Sequence, residues 1–347
     1  MIIPSEYVKN RDFNVRYRPH KFNQVLGNDN IIRMITKSII NNKLPHAMLF
    51  TGVSGCGKTT VARLIALSLN CTDRDELANP CGECISCKAI LNLNSLSVQE
   101  LDGARTGNID TIRSVLDNLP SAPMGGEPFK VLILDEAHNL SGKAEDALLK
   151  FLEDTPGHCY IILCTNELQK LKEVTRNRCK TIQFSRLEDK YIYELLEEVC
   201  QFEGFVYNKE VLNYIVEESN GVPRQALSYL QQVGLEGTWT KEAASIMINA
   251  GISIDQVEVY EFCKIVLRGS WKDSLKAFKK IKKIPIETIR ISVTGFFVGC
   301  MKNAKVLSEA KKYSRVVDIM CNPIYDSKPE HKFFNNLFKS IDILRGN

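Results

Sequence analysis

One stretch limits what this chain can become more than any other. Gly52-Val53-Ser54-Gly55-Cys56-Gly57-Lys58-Thr59-Thr60 fits the pattern G-x-x-x-x-G-K-[ST], which reads as a phosphate-binding loop. Ala47-Met48-Leu49-Phe50 before it is a short apolar run that reads as a buried strand. Val61-Ala62-Arg63-Leu64-Ile65-Ala66 after it is helix-forming and apolar on one side. Strand, glycine loop and helix in that order aim backbone N–H groups and the positive end of a helix at phosphate oxygens. Gly52, Gly55 and Gly57 leave room for close approach, with Cys56 and Thr60 completing the cradle. Lys58 is expected to reach the outer phosphates of ATP and Thr59 to ligate Mg²⁺.

The 347 residues suggest two or three domains. Hydrophobic residues are 44% and charged residues 25% of the chain, the mixture of a soluble globular protein. No apolar run approaches the roughly 20 residues that span a bilayer, and Met1 to Asn10 lacks a signal-type apolar segment. A cytoplasmic protein with no membrane partner is therefore expected. The net charge of +4 is too small to imply nucleic acid by itself.

Short apolar runs alternate with helical patterns as far as about Phe184. Val98–Asp102, Lys130–Leu134, Tyr160–Cys164 and Thr181–Phe184 are the further strand candidates. Such runs imply a parallel sheet covered on both faces, with ligands bound beyond the carboxyl ends of its strands. Pro19 and Gly27 punctuate a loop before it. After Ser185 the strand signal stops. Ile192, Leu195, Leu196 and Val199 mark one helix, and Val211, Leu212, Ile215 and Val216 a second. Pro223 opens a third, and Gly234 and Gly237 read as the next junction. From Thr240 onward the pattern stays helical, with core candidates Tyr260, Cys263, Leu267, Leu275, Phe278, Ile281, Phe333, Leu337, Phe338 and Ile341. The expected plan is an α/β domain over 1–185, a helical lid over 186–238 and an all-helical domain over 239–347.

Several constellations carry chemistry. Leu132-Ile133-Leu134-Asp135-Glu136 is an apolar strand ending in two acids. Asp135 would hold Mg²⁺ through water and Glu136 would polarise the attacking water. The bland alternative is an exposed acidic turn. His138 reads as a surface or packing residue, though it completes an Asp-Glu-Ala-His string that a helicase could share. Cys71, Cys81, Cys84 and Cys87 form C-x9-C-x2-C-x2-C, which suits a closed, structural Zn²⁺ site over 71–87. An iron–sulfur cluster or four reduced thiols are the alternatives. Asn166 ends the fourth strand candidate, where its amide can approach an outer phosphate and Thr165 can assist. A simple strand cap would explain both equally well. Thr175-Arg176-Asn177-Arg178-Cys179 sets two arginines before the last strand. Arg178 could stabilise phosphoryl-transfer charge if presented in trans, or could be solvated surface. Arg224 falls in the first turn of a helix, where a cation is unfavourable unless an anion is near.

Taken together these residues resemble a clamp-loader ATPase of the AAA+ superfamily. Asn177-Arg178-Cys179 is similar to the Ser-Arg-Cys motif of that family, with Asn177 in place of the usual serine. The four-cysteine insertion narrows the resemblance to the gamma/tau subunits of bacterial DNA polymerase III, cellular or bacteriophage. Tyr17-Arg18-Pro19, Glu100-Leu101-Asp102, Ala147-Leu148-Leu149-Lys150 and Gln169-Lys170-Leu171 point the same way. The similarity is strong over roughly residues 12 to 235. The resemblance implies a five-stranded AAA+ P-loop NTPase with a lid and a collar, of gamma type without a tau tail. It implies that Val25, Leu26 and Gly27 border the adenine, that Asn166 is a first sensor and Arg224 a second, and that Arg178 completes a neighbour's ATP site. The implied partners are other subunits of a pentameric ring, a sliding clamp and primer-template DNA, with Arg105, Arg113 and Lys143 as candidate backbone contacts. A delta-prime-type subunit shares the domain plan but usually lacks a working phosphate loop. Other AAA+ DNA-remodelling ATPases also stay open. A DEAH-type helicase would need a second RecA-like domain, and a zinc scaffold would need a vestigial loop.

Overall fold

The structure is a computed structural model. It describes residues 12–106, 109–123, 126–237, 239–250, 257–324 and 329–346. Met1–Asn10, read above for a signal segment, lies outside the described residues. Two compact units emerge: Met1–Glu198 with Asn220–Gln225, and Val199–Ser219 with Ala226–Asn347.

The first unit opens with α1 (Phe13–Arg16), a single 3-10 turn at Phe22–Gln24 and α2 (Asp29–Ile40). The Pro19–Gly27 segment is thus not plain loop, because Gln24 closes its turn by accepting from the N–H groups of His20 and Lys21 at 2.9 and 3.1 Å. There follow β1 (Ala47–Thr51), α3 (Lys58–Asn70), α4 (Ile85–Leu91), β2 (Val98–Asp102), α5 (Gly103–Thr106), α6 (Ile109–Asn118), β3 (Lys130–Asp135), α7 (Gly142–Glu153), β4 (Cys159–Thr165), α8 (Glu173–Arg178) and β5 (Lys180–Gln183). The five strands form one parallel sheet in the order β2-β3-β4-β1-β5.

The apolar runs do what buried strands require. Alternate residues of each central strand enter two different cores. Met48, Phe50, Val131, Ile133, Ile162 and Cys164 pack with Ile35 and Ile39 of α2 and Val61, Leu64 and Ile65 of α3. Leu49, Leu132, Leu134, Ile161 and Leu163 pack on the other face with Ile112 and Leu116 of α6 and Ala144, Leu148 and Leu152 of α7. The sheet is the expected α/β sandwich, and the loops that could bind a ligand lie at its carboxyl edge.

Helices continue as α9 (Asp189–Glu203), α10 (Lys209–Ser219), α11 (Pro223–Glu236), α12 (Lys241–Ala250), α13 (Val257–Arg268), α14 (Trp271–Phe278), α15 (Ile286–Lys302), α16 (Leu307–Met320) and α17 (Pro329–Arg345). α9 and α11 each contribute residues to both units. The core of the second unit is aromatic, with Phe262, Phe278, Phe296, Phe297 and Phe333 buried together. Among the described residues no helix is long and apolar enough to cross a membrane.

Two sequence expectations fail here. Gly234 does not mark a junction; it sits inside α11. A methyl group at its Cα would lie 2.5 Å from the Phe205 ring, so the glycine serves close packing and not chain reversal. Phe338 is not core. Phe333, Leu337 and Ile341 share the buried face of α17, and Phe338, one residue off that face, is 52% exposed.

Candidate functional site at the carboxyl edge of the sheet

The loop after β1 ends at Gly57, whose φ of +103° is left-handed and which caps the start of α3. That conformation suits glycine and points the first N–H groups of α3 back across the loop. Lys58 is 5% exposed, and its Nζ donates to the carbonyls of Gly52 and Val53 at 2.8 and 2.9 Å. Those carbonyls hold the ammonium over the loop until a stronger acceptor, such as a phosphate oxygen, replaces them. The Cys56 side chain turns into the core, where burial pushes its thiol up against the pull of Lys58. Only its backbone is left to face a phosphate.

β3 brings the acids to the same place. Thr59 Oγ1 donates to Asp135 Oδ2 at 2.8 Å across 76 residues of sequence. A hydroxyl and a carboxylate meeting beside a phosphate loop are the donor set that Mg²⁺ takes in P-loop sites, so the residues fit the ion. Glu136 follows with a left-handed backbone at φ +48°, and its side chain is partly exposed.

His138 was underrated by sequence reasoning. Its side chain is only 6% exposed. Nδ1 lies 3.1 Å from Thr165 Oγ1 and 3.4 Å from Glu136 Oε2, and Nε2 lies 3.4 Å from Glu167 Oε1. The imidazole therefore links the ends of β3 and β4 and steadies Glu136. The Asp-Glu-Ala-His string was the signal, but its partners on β4 are not visible in sequence. Arg63 was missed as well: its Nε and Nη2 clasp both Glu100 oxygens at 2.6 and 2.7 Å, tying α3 to β2 one turn beyond Thr59.

Val25 packs on the core beneath the loop, while Leu26 is partly exposed and Gly27 buried. Asn28 fixes this segment by accepting from Ser185 N and Oγ, both at 3.0 Å. Asn166 is exposed just past β4. Arg224 reaches the loop from the start of α11: a methyl on Gly55 would sit 3.0 Å from Arg224 Cβ.

Arg178 stands elsewhere. It ends α8 immediately before β5, whose Lys180 pairs with Met48 near the amino end of β1. The phosphate loop leaves the other end of β1. Nor is Arg178 simply solvated, because Nη2 is ion-paired with Glu153 and the buried Nη1 has no hydrogen-bond partner among the described residues. Arg105, Arg113 and Lys143 are exposed on α5, α6 and α7; Arg105 lies 3.6 Å from Asp102.

The four cysteines converge at the far end of α3. Their sulfur atoms all lie within 4.8 Å of one another, as ligands of one tetrahedral ion must. Backbone N–H groups point at the sulfurs: Cys81 to Cys71 at 3.2 Å, Cys84 to Cys81 at 3.3 Å and Cys87 to Cys84 at 3.4 Å. Burial opposes a Cys84 thiolate, but the N–H of Cys87 and contacts from Thr72 prevail and bring its thiol down to about 6. Burial pushes the Cys71 and Cys87 thiols up instead. The donor set fits Zn²⁺.

Comparison with known proteins places this geometry. A family model described as DNA polymerase III, delta subunit, matches residues 27–188. The Bacillus subtilis DNA polymerase III subunit tau is 32% identical over 266 residues, covering 76% of this chain and 46% of that protein. The Mycoplasma genitalium gamma/tau subunit is 29% identical over 307 residues, covering 86% and 51%. The chain resembles the gamma/tau subunits of DNA polymerase III. It spans about half the length of these relatives. The Thermotoga maritima RuvB Holliday junction branch migration motor aligns with a TM-score of 0.50 at 16% identity, covering 74% of this chain and 80% of that one. That likeness speaks for the fold alone, a five-stranded parallel sheet covered by helices and followed by a helical C-terminal region.

Proposed function

We propose that the chain is an ATP-hydrolysing clamp-loader subunit that helps to open a sliding clamp and release it on primer-template DNA, acting in the cytoplasm. The observation that carries the ATPase part is the Thr59–Asp135 contact, made across the loop that holds Lys58. In this reading Gly52, Gly55, Cys56, Gly57 and Thr60 cradle the phosphates through their backbone and Lys58 binds the outer ones. Thr59 and Asp135 hold Mg²⁺, which neutralises phosphate charge. Glu136, steadied by His138, takes the proton of the attacking water. Val25, Leu26 and Gly27 border the base, and Asn166 and Arg224 sense the outer phosphate. Cys71, Cys81, Cys84 and Cys87 hold a structural Zn²⁺.

The clamp-loading part draws on the named relatives and on Arg178. Because Arg178 lies away from its own loop, it serves a neighbouring subunit's ATP in a pentameric ring, exchanging Glu153 for phosphoryl charge. The division into an ATPase domain over 1–185, a lid over 186–238 and a collar over 239–347 belongs to the same proposal. The test is ATP hydrolysis by the chain assembled with its partner subunits, with and without sliding clamp and primed DNA. Strong stimulation by both together supports the reading. Hydrolysis indifferent to clamp would leave an ATPase but overturn clamp loading, and no hydrolysis under any condition would overturn both.

A further inference from the structure

The net charge of +4 conceals a segregation. Residues 257–347 carry 18 lysines and arginines against nine aspartates and glutamates, so this region is net +9 and residues 1–256 are net −5. Six of those lysines crowd one stretch: Lys272, Lys276, Lys279, Lys280, Lys282 and Lys283. All six are exposed. The reason is the anchoring of α14. Ser274, Ala277 and Phe278 are its buried side, and Ile281 pins the turn beyond its end. That turn is held by Lys280 N–H to the Ala277 carbonyl and Ile281 N–H to the Phe278 carbonyl, both at 3.1 Å. At 3.6 residues per turn, Lys272, Lys276, Lys279 and Lys280 then share the opposite face within an arc of about 100°. None of the six lysines is ion-paired among the described residues. Asp273, the one carboxylate in the stretch, accepts instead from Ser270 N and Oγ at 3.1 and 2.6 Å. Like charges so concentrated repel one another and favour a polyanion.

Aromatic surface borders this face. Trp271 precedes Lys272, and Phe338, half in solvent, meets the Trp271 ring edge-on with centroids 5.4 Å apart. Cations that take phosphates beside an exposed ring that takes a base are what a single strand needs; an acidic peptide would have no use for the ring. We infer that the α14 face, with Phe338 at its border, binds single-stranded DNA through its backbone without regard to sequence. This face is separate from Arg105, Arg113 and Lys143 and does not depend on the clamp-loading reading.

The test uses the full chain and labelled oligo(dT), followed by fluorescence anisotropy over a salt series. An Arg105→Ala/Arg113→Ala/Lys143→Ala background removes any contribution from those positions. Replacing Lys276, Lys279, Lys280, Lys282 and Lys283 together by glutamine should weaken binding about 10-fold or more. It should also flatten the salt slope by roughly 2 to 3, since each lost phosphate contact on a single strand removes about 0.7. Phe338→Ala should weaken binding about 5-fold or more with the slope unchanged. Thermal unfolding followed by circular dichroism and compared with the parent chain reports that each variant is folded; should the lysine variant fail that check, Phe338→Ala decides. Unchanged affinity in a folded lysine variant would overturn the inference. So would an indifferent Phe338→Ala together with polyglutamate competing as well as unlabelled oligo(dT), which would mark the face as a dock for an acidic protein.

Discussion

The two ends of α3 carry two kinds of chemistry, and they are built in opposite ways. At its start, Lys58 and Thr59 meet residues from distant parts of the chain: Asp135 from β3 and, through Gly55, Arg224 from α11. At its end, Cys71 meets Cys81, Cys84 and Cys87, all within 16 residues. The first site exists only once the sheet has set β1 beside β4 and β4 beside β3. The second needs only a turn and the first residues of α4. Between them α3 is buried along most of its length, at every residue from Val61 to Asn70 except Arg63. It is a rod of about 20 Å, held by the sheet and by neither site.

The largest effect expected is at the start of the rod. Lys58→Ala should abolish measurable ATP binding, because the phosphates lose the cation that the loop carbonyls hold ready. Zinc content measured on the same sample should be unchanged. A parallel loss of zinc would break the comparison, since it would show that the loop supports the far end.

Next comes Arg178→Ala. ATP affinity of the single chain should be kept, while clamp- and DNA-stimulated hydrolysis in the assembled complex falls by as much as about 10³–10⁵. Mixing Lys58→Ala chains with Arg178→Ala chains decides the matter. Some interfaces then join an intact loop to an intact arginine, and partial recovery of activity means action in trans. No recovery, with both variants assembling normally, would make Arg178 a structural partner of Glu153. Glu136→Gln should cost less, about 10²–10⁴ in turnover, with nucleotide binding preserved. If it weakens binding as Lys58→Ala does, the two roles have been confused.

The same contrast explains what could be read from sequence. The phosphate loop, the strand-ending acids and the cysteines are patterns of spacing, and spacing survives without a fold. The central strands β1, β3 and β4 were legible to within a residue or two because they are buried on both faces, which demands unbroken apolar runs. What could not be read were contacts between elements. Glu153 beside Arg178, Glu100 beside Arg63 and Thr165 beside His138 are 25, 37 and 27 residues apart. Gly234 looked like a breaker because glycine usually is one, and only the ring of Phe205 shows otherwise. Phe338 looked like core because helical periodicity tolerates an error of one position. The lysines of α14 and the turn after it were lost in an average, because the acidic first 256 residues offset about half of the charge of the remainder.

The smallest expected effect is the most informative about α3. Cys84→Ser removes the thiol that hydrogen bonds from Cys87 and Thr72 hold at about 6. Zinc should be lost or much weakened, and the segment from Cys71 to Leu91 should become more open to proteolysis. The nucleotide site should change within about threefold in ATP affinity, because sites this far apart with no shared partners usually act independently. Wild-type protein treated with a chelator gives a second route to the same state. In it, alkylation at neutral pH should strike Cys84 before Cys71 or Cys87, whose thiols burial pushes up. The rate at Cys84 should hold from alkaline pH down to neutrality and fall only as pH drops through about 6, where the thiolate takes up its proton. An ATP affinity that collapses with the zinc would mean that the metal, and not the packing of Val61, Leu64 and Ile65 on the sheet, keeps the helix in register. The loop and the cluster would then be one device at two ends of a lever. The packing of α3 on the sheet, buried from Val61 to Asn70 except at Arg63, argues that they are two.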